Sequence, residues 1–312
     1  MKVTPIFVVG SNRSGTTYIS NILASSNLIT AVQHEEHFGI HESSYFNHIY
    51  GRYGDIKNWS HYVEFIEATI NSDYFRLTGV TREELYGLYP ATYHSVFRFV
   101  MDRLATKENA SYWIEKSPNH ALELDLIAKC YPDALFISIK RNLKSVVRSS
   151  LGLKFKYNPS RVENKKYRLN SIKGVVFNYY RTYKSIASFS KRNSKKILNV
   201  NYEDLVANQE KTLDTVKHFI NINSDLVYSN QFSKNSSFNK SKVSESFFSK
   251  QELSKIKLHE NVYKKMPLIF FVWKDRFKKY LMSKTTFFNK NRLPTWYYKT
   301  YEYSELKKKQ LK

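Results

Sequence analysis

Cysteine is almost absent from this sequence: Cys130 is the only one in 312 residues. A lone thiol closes no internal disulfide and completes no CxxC or zinc pattern, so the chain reads as a protein of a reducing compartment. Cys130 lies in the apolar, helix-like run from Leu122 to Tyr131 and is expected to be a buried, inert thiol. Long hydrophobic runs are missing too. Met266 to Trp273 falls well short of the roughly 20 apolar residues that span a bilayer. Val3 to Val9 has no basic leader and runs straight into a glycine loop, so it does not read as a secretion signal. A cytoplasmic protein is expected. Acidic residues are scarce, 27 against 50 Lys and Arg, for a net charge of +23. Such an excess suits a polyanionic partner: nucleic acid, an anionic membrane surface or a highly phosphorylated cofactor. Close to half of it follows Asn261.

Apolar residues make up 42% of the chain, including 21 Phe and 24 Tyr in the wider aromatic set, enough for a sizeable core. No long stretch has a disordered composition. Short apolar runs at Val3–Val9, Ile29–Val32, Tyr112–Ile114, Ala134–Ile139 and Ile197–Val200 read as strands separated by helices. That alternation implies an α/β fold with three layers, a mostly parallel central sheet flanked by helices. Residues 44–110 read as mainly helical, 153–168 as a basic loop, 172–190 as a long helix, and 230–250 as a loop or lid. Two units are expected: residues 1–260 as the main domain and 261–312 as a basic, aromatic, helical extension.

Between the first strand and helix lies Gly10-Ser-Asn-Arg-Ser-Gly15-Thr16-Thr17. Backbone N–H groups of such a loop converge on one point, and the helix N-terminus adds partial positive charge, so it suits phosphate or sulfate. The nucleoside-triphosphatase version carries Lys where this chain has Thr16. The cation here is Arg13, inside the loop. A kinase or triphosphatase also needs a carboxylate at the end of a buried strand to hold Mg²⁺. The strongest strand here ends in Lys140-Arg141. A donor held by protein cations, without a metal, fits better.

These residues resemble the 3′-phosphoadenylyl sulfate (PAPS)-dependent sulfotransferases, whose fold is P-loop NTPase-like. Arg13 to Thr17 is similar to that family's 5′-phosphosulfate loop, implying donor contacts from Arg13, Ser14, Gly15, Thr16 and Thr17. Arg141 with Ser149, eight residues on, resembles the pair that binds the 3′-phosphate. Glu35-Glu36-His37-Phe38 resembles the E-x-H-F string of the glycan O-sulfotransferases, which implies Glu35 as base and His37 as its helper. Glu115-Lys116-Ser117-Pro118 resembles their E-K-[ST]-P string, whose Lys lines the active site. Tyr202-Glu203-Asp204-Leu205 resembles a structural Y-E-D-L string. Ser236 to Ser244, with Lys240 and Lys242, sits where the family has a cofactor-covering loop. The resemblance spans roughly residues 1 to 250. Arg13 departs from the glycan enzymes, which carry Lys there, and agrees with the tyrosylprotein enzymes. Asn12 stands where Pro is common.

The expected chemistry follows. Glu35 takes the acceptor proton, with His34 and Glu36 as rival bases. Arg13 and Lys116 neutralise charge on the transferring and leaving groups. Arg141 and Ser149 anchor the far phosphate. Ser117 and Thr16 read as cap or loop hydrogen-bonders. His34-Glu-Glu-His37 lacks H-E-x-x-H spacing, so no metal is expected. The expected acceptor is a carbohydrate of a surface polysaccharide or glycolipid. Tyr157, Tyr167, Tyr179, Tyr180 and Tyr183 are available to face sugars or to pack in the core. The alternatives are a tyrosylprotein-type or small-molecule sulfotransferase, a P-loop small-molecule kinase, a nucleic-acid binder and a non-catalytic partner protein. The ordered motifs argue against nucleic acid. The tail pairs aromatic residues with basic clusters, which suits either peripheral docking on an anionic membrane or a helix packing Leu268, Phe270, Phe271 and Trp273 onto the domain.

Overall fold

The structure is a computed structural model that describes residues 3–34, 39–157, 159–224, 226, 247–273 and 277. Strand β1 (Thr4–Gly10) leads into helix α1 (Thr16–Leu23), then β2 (Ile29–Ala31) and a hairpin of β3 (Gln33–His34) and β4 (Gly39–Ile40). A helical stretch follows: α2 (Tyr45–His48), α3 (Trp59–Ile70), α4 (Asp73–Thr78), α5 (Arg82–Tyr86) and α6 (Tyr93–Lys107). Next come β5 (Tyr112–Lys116), α7 (Leu124–Cys130), β6 (Leu135–Lys140), α8 (Leu143–Tyr157) and α9 (Lys165–Arg192). The described chain closes with β7 (Ile197–Asn201), α10 (Tyr202–Ala207), α11 (Gln209–Ile220) and α12 (Lys250–Lys265).

Five strands form one sheet in the order β2-β5-β1-β6-β7, and every pairing in it is parallel. Strands buried on both faces read as continuous apolar runs, which is why β1 and β6 are visible in the sequence. Alternate side chains of β1 serve different layers. Phe7 and Val9 join a core under α2 to α7, with Trp113 and Phe136. Ile6 and Val8 join a second core under α1, α10 and α11, with Ile114, Ile137 and Ile139. The expected three-layer α/β architecture is therefore present. Phe7 is fully buried and touches the rings of Trp113, Phe46, Tyr131 and Phe136. Phe7→Ala would cost about 3–5 kcal/mol from lost burial and the cavity left behind.

A third cluster joins α8, α9 and α12 through Val147, Leu151, Ile172, Val176, Ile256 and Tyr263, and takes in Phe271 beyond α12. Arg168 on α9 reaches Glu252 on α12 through two hydrogen bonds of 2.6 and 3.1 Å. Glu252 also completes a capping box with Ser249, which fixes where α12 begins. The expected boundary at 260/261 falls within α12, and residues 268–273, which are helical, continue onto the same core.

The expected basic loop at 153–168 is a correction. Helix α8 continues to Tyr157 and α9 already begins at Lys165, where the Asn164 side chain accepts a hydrogen bond from Tyr167 N at 2.9 Å. Lysine is a good helix former, so a run of basic residues is no sign of a loop. Cys130 is half-buried rather than buried; its thiol approaches the Tyr50 hydroxyl at 3.6 Å, and burial pushes its pKa up. Among the described residues no helix is long and apolar enough to cross a membrane.

Candidate active site

All five strands of the sheet run the same way, so their carboxyl ends share one edge, where open α/β sheets bind ligands. The ends of β5, β1 and β6 are neighbours there: Val8 lies opposite Lys116, and Gly10 opposite Ile139. The residues just after these ends are Ser11 to Gly15, Ser117 and Arg141.

The β1–α1 loop is tight. Ser14 N donates to Ser11 O at 3.0 Å. Arg13 has φ 71° and Gly15 has φ 104°, so the chain makes two left-handed steps before α1 starts at Thr16. Gly15 is required twice over. The positive φ disfavours any side chain, and a Cβ there would strike the Tyr202 ring. At Gly10 a Cβ would stand 2.6 Å from Ile139 O. Ser14 and Thr16 are buried in this turn, while Arg13 is exposed.

Arg13 reaches across the edge to α8, where its Nε donates to Ser149 Oγ at 3.1 Å. Arg141 leaves β6 beneath the loop and places an Nη within 3.4 Å of Arg13 O. Three residues singled out in the sequence, 136 positions apart at most, thus meet at one place. Arg141 is only 7% exposed. Its guanidinium carbon lies 4.3 Å from the centre of the Tyr202 ring, which holds the fork flat against an aromatic face. Its buried Nε finds no hydrogen-bond partner among the described residues. A buried donor left without a partner costs about 1–3 kcal/mol, and an anion arriving at this edge would remove that cost.

The support behind the cations comes from α9 and α10. Tyr183 donates to Ile139 O at 2.9 Å and accepts from Ser11 N at 3.4 Å, tying loop to strand. Burial raises the Tyr183 hydroxyl to about 12, so it stays a proton donor. Tyr179 donates to Arg141 O at 2.9 Å. The hydroxyls of these two tyrosines are thus committed to the sheet edge. Glu203 accepts from Asn142 N at 2.9 Å, and Asn142 Oδ1 accepts from Lys144 N at 2.9 Å, so the turn from Arg141 into α8 is fixed from both sides. The Tyr202-Glu203 string, expected to be structural, therefore shapes the cationic cluster directly.

One strand over, Lys116 is 2% exposed, and its Nζ lies 2.8 Å from Glu42 Oε1. The Glu42 side chain is 41% exposed. Glu42 was not among the residues predicted from sequence. The run His34 to Glu42 offers several carboxylates, and no spacing rule selects one of them. The fold selects it through Glu115. That buried carboxylate accepts from Ser43 Oγ at 2.6 Å, Ser43 N at 3.2 Å, Ser117 Oγ at 2.5 Å and His120 Nδ1 at 2.6 Å. His120 Nε2 in turn accepts from Phe46 N at 3.2 Å, which makes the ring a neutral Nδ1–H donor. Ser117 Oγ also accepts from Ser44 N at 2.8 Å. Burial alone would raise the Glu115 carboxyl; His120, Ser117 and Ser43 outweigh it and hold the group below the usual carboxylate range. This network clamps residues 43–46 to the end of β5 and so delivers Glu42 to Lys116.

Glu35, His37, Lys240 and Lys242 lie outside the described residues. The chain on either side of residues 35–38 is described: β3 and β4 pair antiparallel, His34 opposite Gly39, and β4 leads within two residues to Glu42. Strands of two residues carry no readable period, so this pairing is not visible in the sequence. Among the described residues no group of three or more His, Cys, Asp or Glu side chains is placed to hold a metal ion.

The fold and this edge define an α/β protein in which Arg13, Arg141 and Ser149 meet beyond the carboxyl ends of β1 and β6. The chain belongs to the Sulfotransferase family, whose pattern it matches over residues 5–225. It is similar to the sulfotransferase domain from the curacin biosynthetic pathway, with 18% identity over 72% of this chain and 76% of that one, at a TM-score of 0.46. The sulfotransferase domain from the Synechococcus PCC 7002 olefin synthase is 15% identical over 94% of this chain and 97% of that one, at 0.45. The sulfotransferase STF1 from Mycobacterium tuberculosis H37Rv is 17% identical over 85% and 76%, at 0.44. Among curated proteins none is similar enough in sequence to count as a relative.

Proposed function

We propose that this sulfotransferase takes its sulfuryl group from PAPS and passes it to a carbohydrate hydroxyl of a surface polysaccharide or glycolipid. The observation that carries the donor assignment is the meeting of Arg13, Arg141 and Ser149 at the carboxyl edge of β1 and β6, with the buried Arg141 Nε finding no hydrogen-bond partner among the described residues. Arg141 and Ser149 suit the 3′-phosphate, the planar guanidinium offering paired donors. Arg13, with the backbone of Ser14 to Thr17 at the start of α1, suits the 5′-phosphosulfate. Fixed cations on both sides of the donor do here what a metal does in phosphoryl transfer.

In the reaction the acceptor oxygen bonds to sulfur as its proton passes to a carboxylate. The bond from sulfur to the bridging phosphate oxygen breaks, and adenosine 3′,5′-bisphosphate leaves with its charge met by Arg13 and Lys116. Glu35, helped by His37, is the first base candidate on its E-x-H-F string. Glu42 is the second, because it already sits 2.8 Å from Lys116 at this edge. A carbohydrate acceptor is supported by the E-x-H-F and E-K-S-P strings; Arg13 supports the tyrosyl alternative.

Calorimetry in EDTA tests the donor class. The protein is expected to bind adenosine 3′,5′-bisphosphate more tightly than ATP without added magnesium. A preference for Mg-ATP would overturn the proposal in favour of a kinase.

A further inference from the structure

Most of the large apolar side chains exposed among the described residues lie between residues 258 and 277. Leu258 and Val262 stand on the outer side of α12. Beyond it, Ile269, Phe270, Trp273 and Phe277 are 57, 48, 49 and 57% exposed. Ile269, Phe270 and Trp273 fall along one side of the helical residues 268–273. The opposite side is apolar as well: Phe271 is 3% exposed and packs on Phe177 and Tyr263, with Leu268 and Val272 half-buried. The expectation that this helix packs Phe270 and Trp273 onto the domain is therefore corrected. It buries Phe271 and turns Phe270 and Trp273 outward. A soluble helix needs one apolar face; this one has two.

The outward face adjoins a groove of about 470 Å³ between α9 and α12, lined by Phe177, Leu258, Val262, Met266 and Phe270 with Lys173 at its side. Exposed Lys257, Lys264 and Lys265 stand on the same helix as Leu258 and Val262. Exposed rings flanked by cations match the headgroup region of an anionic bilayer, where apolar side chains enter the acyl boundary and lysines meet phosphate. The groove lies on the outer side of α9, whose inner side carries Tyr179 and Tyr183 at the candidate active site.

We infer that the face formed by Leu258, Val262, Ile269, Phe270 and Trp273, with Lys257, Lys264 and Lys265, docks the protein peripherally on an anionic lipid bilayer. The cations bring the chain to the surface, and that part falls off with salt. The rings then hold it there. The inference is independent of the donor and the acceptor: it would stand if the acceptor were soluble.

The test is co-sedimentation of the full chain with vesicles of phosphatidylglycerol mixed one to two with phosphatidylcholine, and with pure phosphatidylcholine. The protein should pellet with the anionic vesicles at low salt and at least tenfold less with the neutral ones. The double variant Phe270→Glu, Trp273→Glu should reduce anionic-vesicle binding at least tenfold while leaving calorimetric affinity for adenosine 3′,5′-bisphosphate unchanged. Both residues are exposed, so the fold should survive. As a check that needs no loss of binding, brominated lipid should quench tryptophan emission in the natural protein and quench less in Trp273→Phe. No pelleting with anionic vesicles at low salt would overturn the inference. So would a double variant that pellets like the natural protein, since its binding would then be charge alone. A concentration-dependent dimer abolished by the double variant, without vesicle binding, would identify a second copy as the occupant and overturn it equally.

Discussion

Arg141→Ala should be the most damaging single change to donor binding at this edge. Arg141 is nearly buried, its guanidinium is held on the Tyr202 ring at 4.3 Å, and its Nε has no partner among the described residues. The side chain is thus ordered before a ligand arrives, and little conformational entropy is lost on binding. A charge-assisted hydrogen bond contributes about 1.5–3 kcal/mol, which corresponds to a roughly 10- to 150-fold weaker Kd when it is removed. Ser149 contributes one neutral hydroxyl, already in contact with Arg13 Nε at 3.1 Å. Ser149→Ala should cost about 0.5–1.5 kcal/mol, or roughly 2- to 10-fold. Arg141→Lys keeps the charge but loses the fork and should fall between the two. Titration of adenosine 3′,5′-bisphosphate into the natural protein and the three variants reads these differences directly. The reasoning would be refuted if Arg141→Ala bound within twofold of the natural protein. It would also be refuted if Ser149→Ala were the more damaging change.

Three further expectations concern the scaffold and the base. Glu115→Gln should destabilise the fold by about 1–3 kcal/mol near neutral pH, because it sets an amide into a pocket of donors. The Glu115 carboxyl lies below 4.5 in the folded protein. Its ionisation therefore contributes stability above about 4.5, and that contribution disappears as pH falls through the lower folded value. Thermal melts across pH should show natural protein and Glu115→Gln converging only in acid; a constant gap would contradict this. Gly15→Ala should lower the melting temperature and weaken donor binding together, since the new Cβ meets the Tyr202 ring at a φ of 104°. Unchanged binding would mean that the loop does not need this conformation. Glu35→Gln and Glu42→Gln should both leave affinity for adenosine 3′,5′-bisphosphate within about threefold, and the one that removes the base should lower turnover by roughly 10²- to 10⁴-fold. Full turnover in both variants would move the base to His34 or Glu36.

The central strands were legible because burial on both faces leaves an uninterrupted apolar run, as in Phe136 to Ile139. The loop from Gly10 to Thr17 was legible because its geometry restricts residue type: only glycine fits at position 15. Two-residue strands such as β3 and β4 carry no period, and the hairpin was invisible. The helical turns at 153–157 and 165–168 were hidden because Lys and Arg signal solvent rather than a backbone state. Contacts between distant segments were beyond local reading altogether. Nothing near Arg141 points to Tyr202, and nothing in the run from His34 to Glu42 distinguishes the carboxylate that Glu115 and its clamp bring to Lys116. Phe270 and Trp273 show the opposite failure. Their pattern suggests a packed helix, and only the position of Phe271 fixes which side faces inward.

The most direct test of the central claim is transfer itself. Purified protein would be incubated in EDTA with PAPS carrying radioactive sulfur and a panel of polysaccharides and glycolipids, beside tyrosyl peptides and small phenols. Label should appear on at least one carbohydrate, without any added metal, and should disappear in Arg141→Ala. Label on a tyrosyl peptide alone would keep the donor assignment and reverse the acceptor. No transfer from PAPS to any acceptor, with phosphoryl transfer from Mg-ATP in its place, would contradict the account.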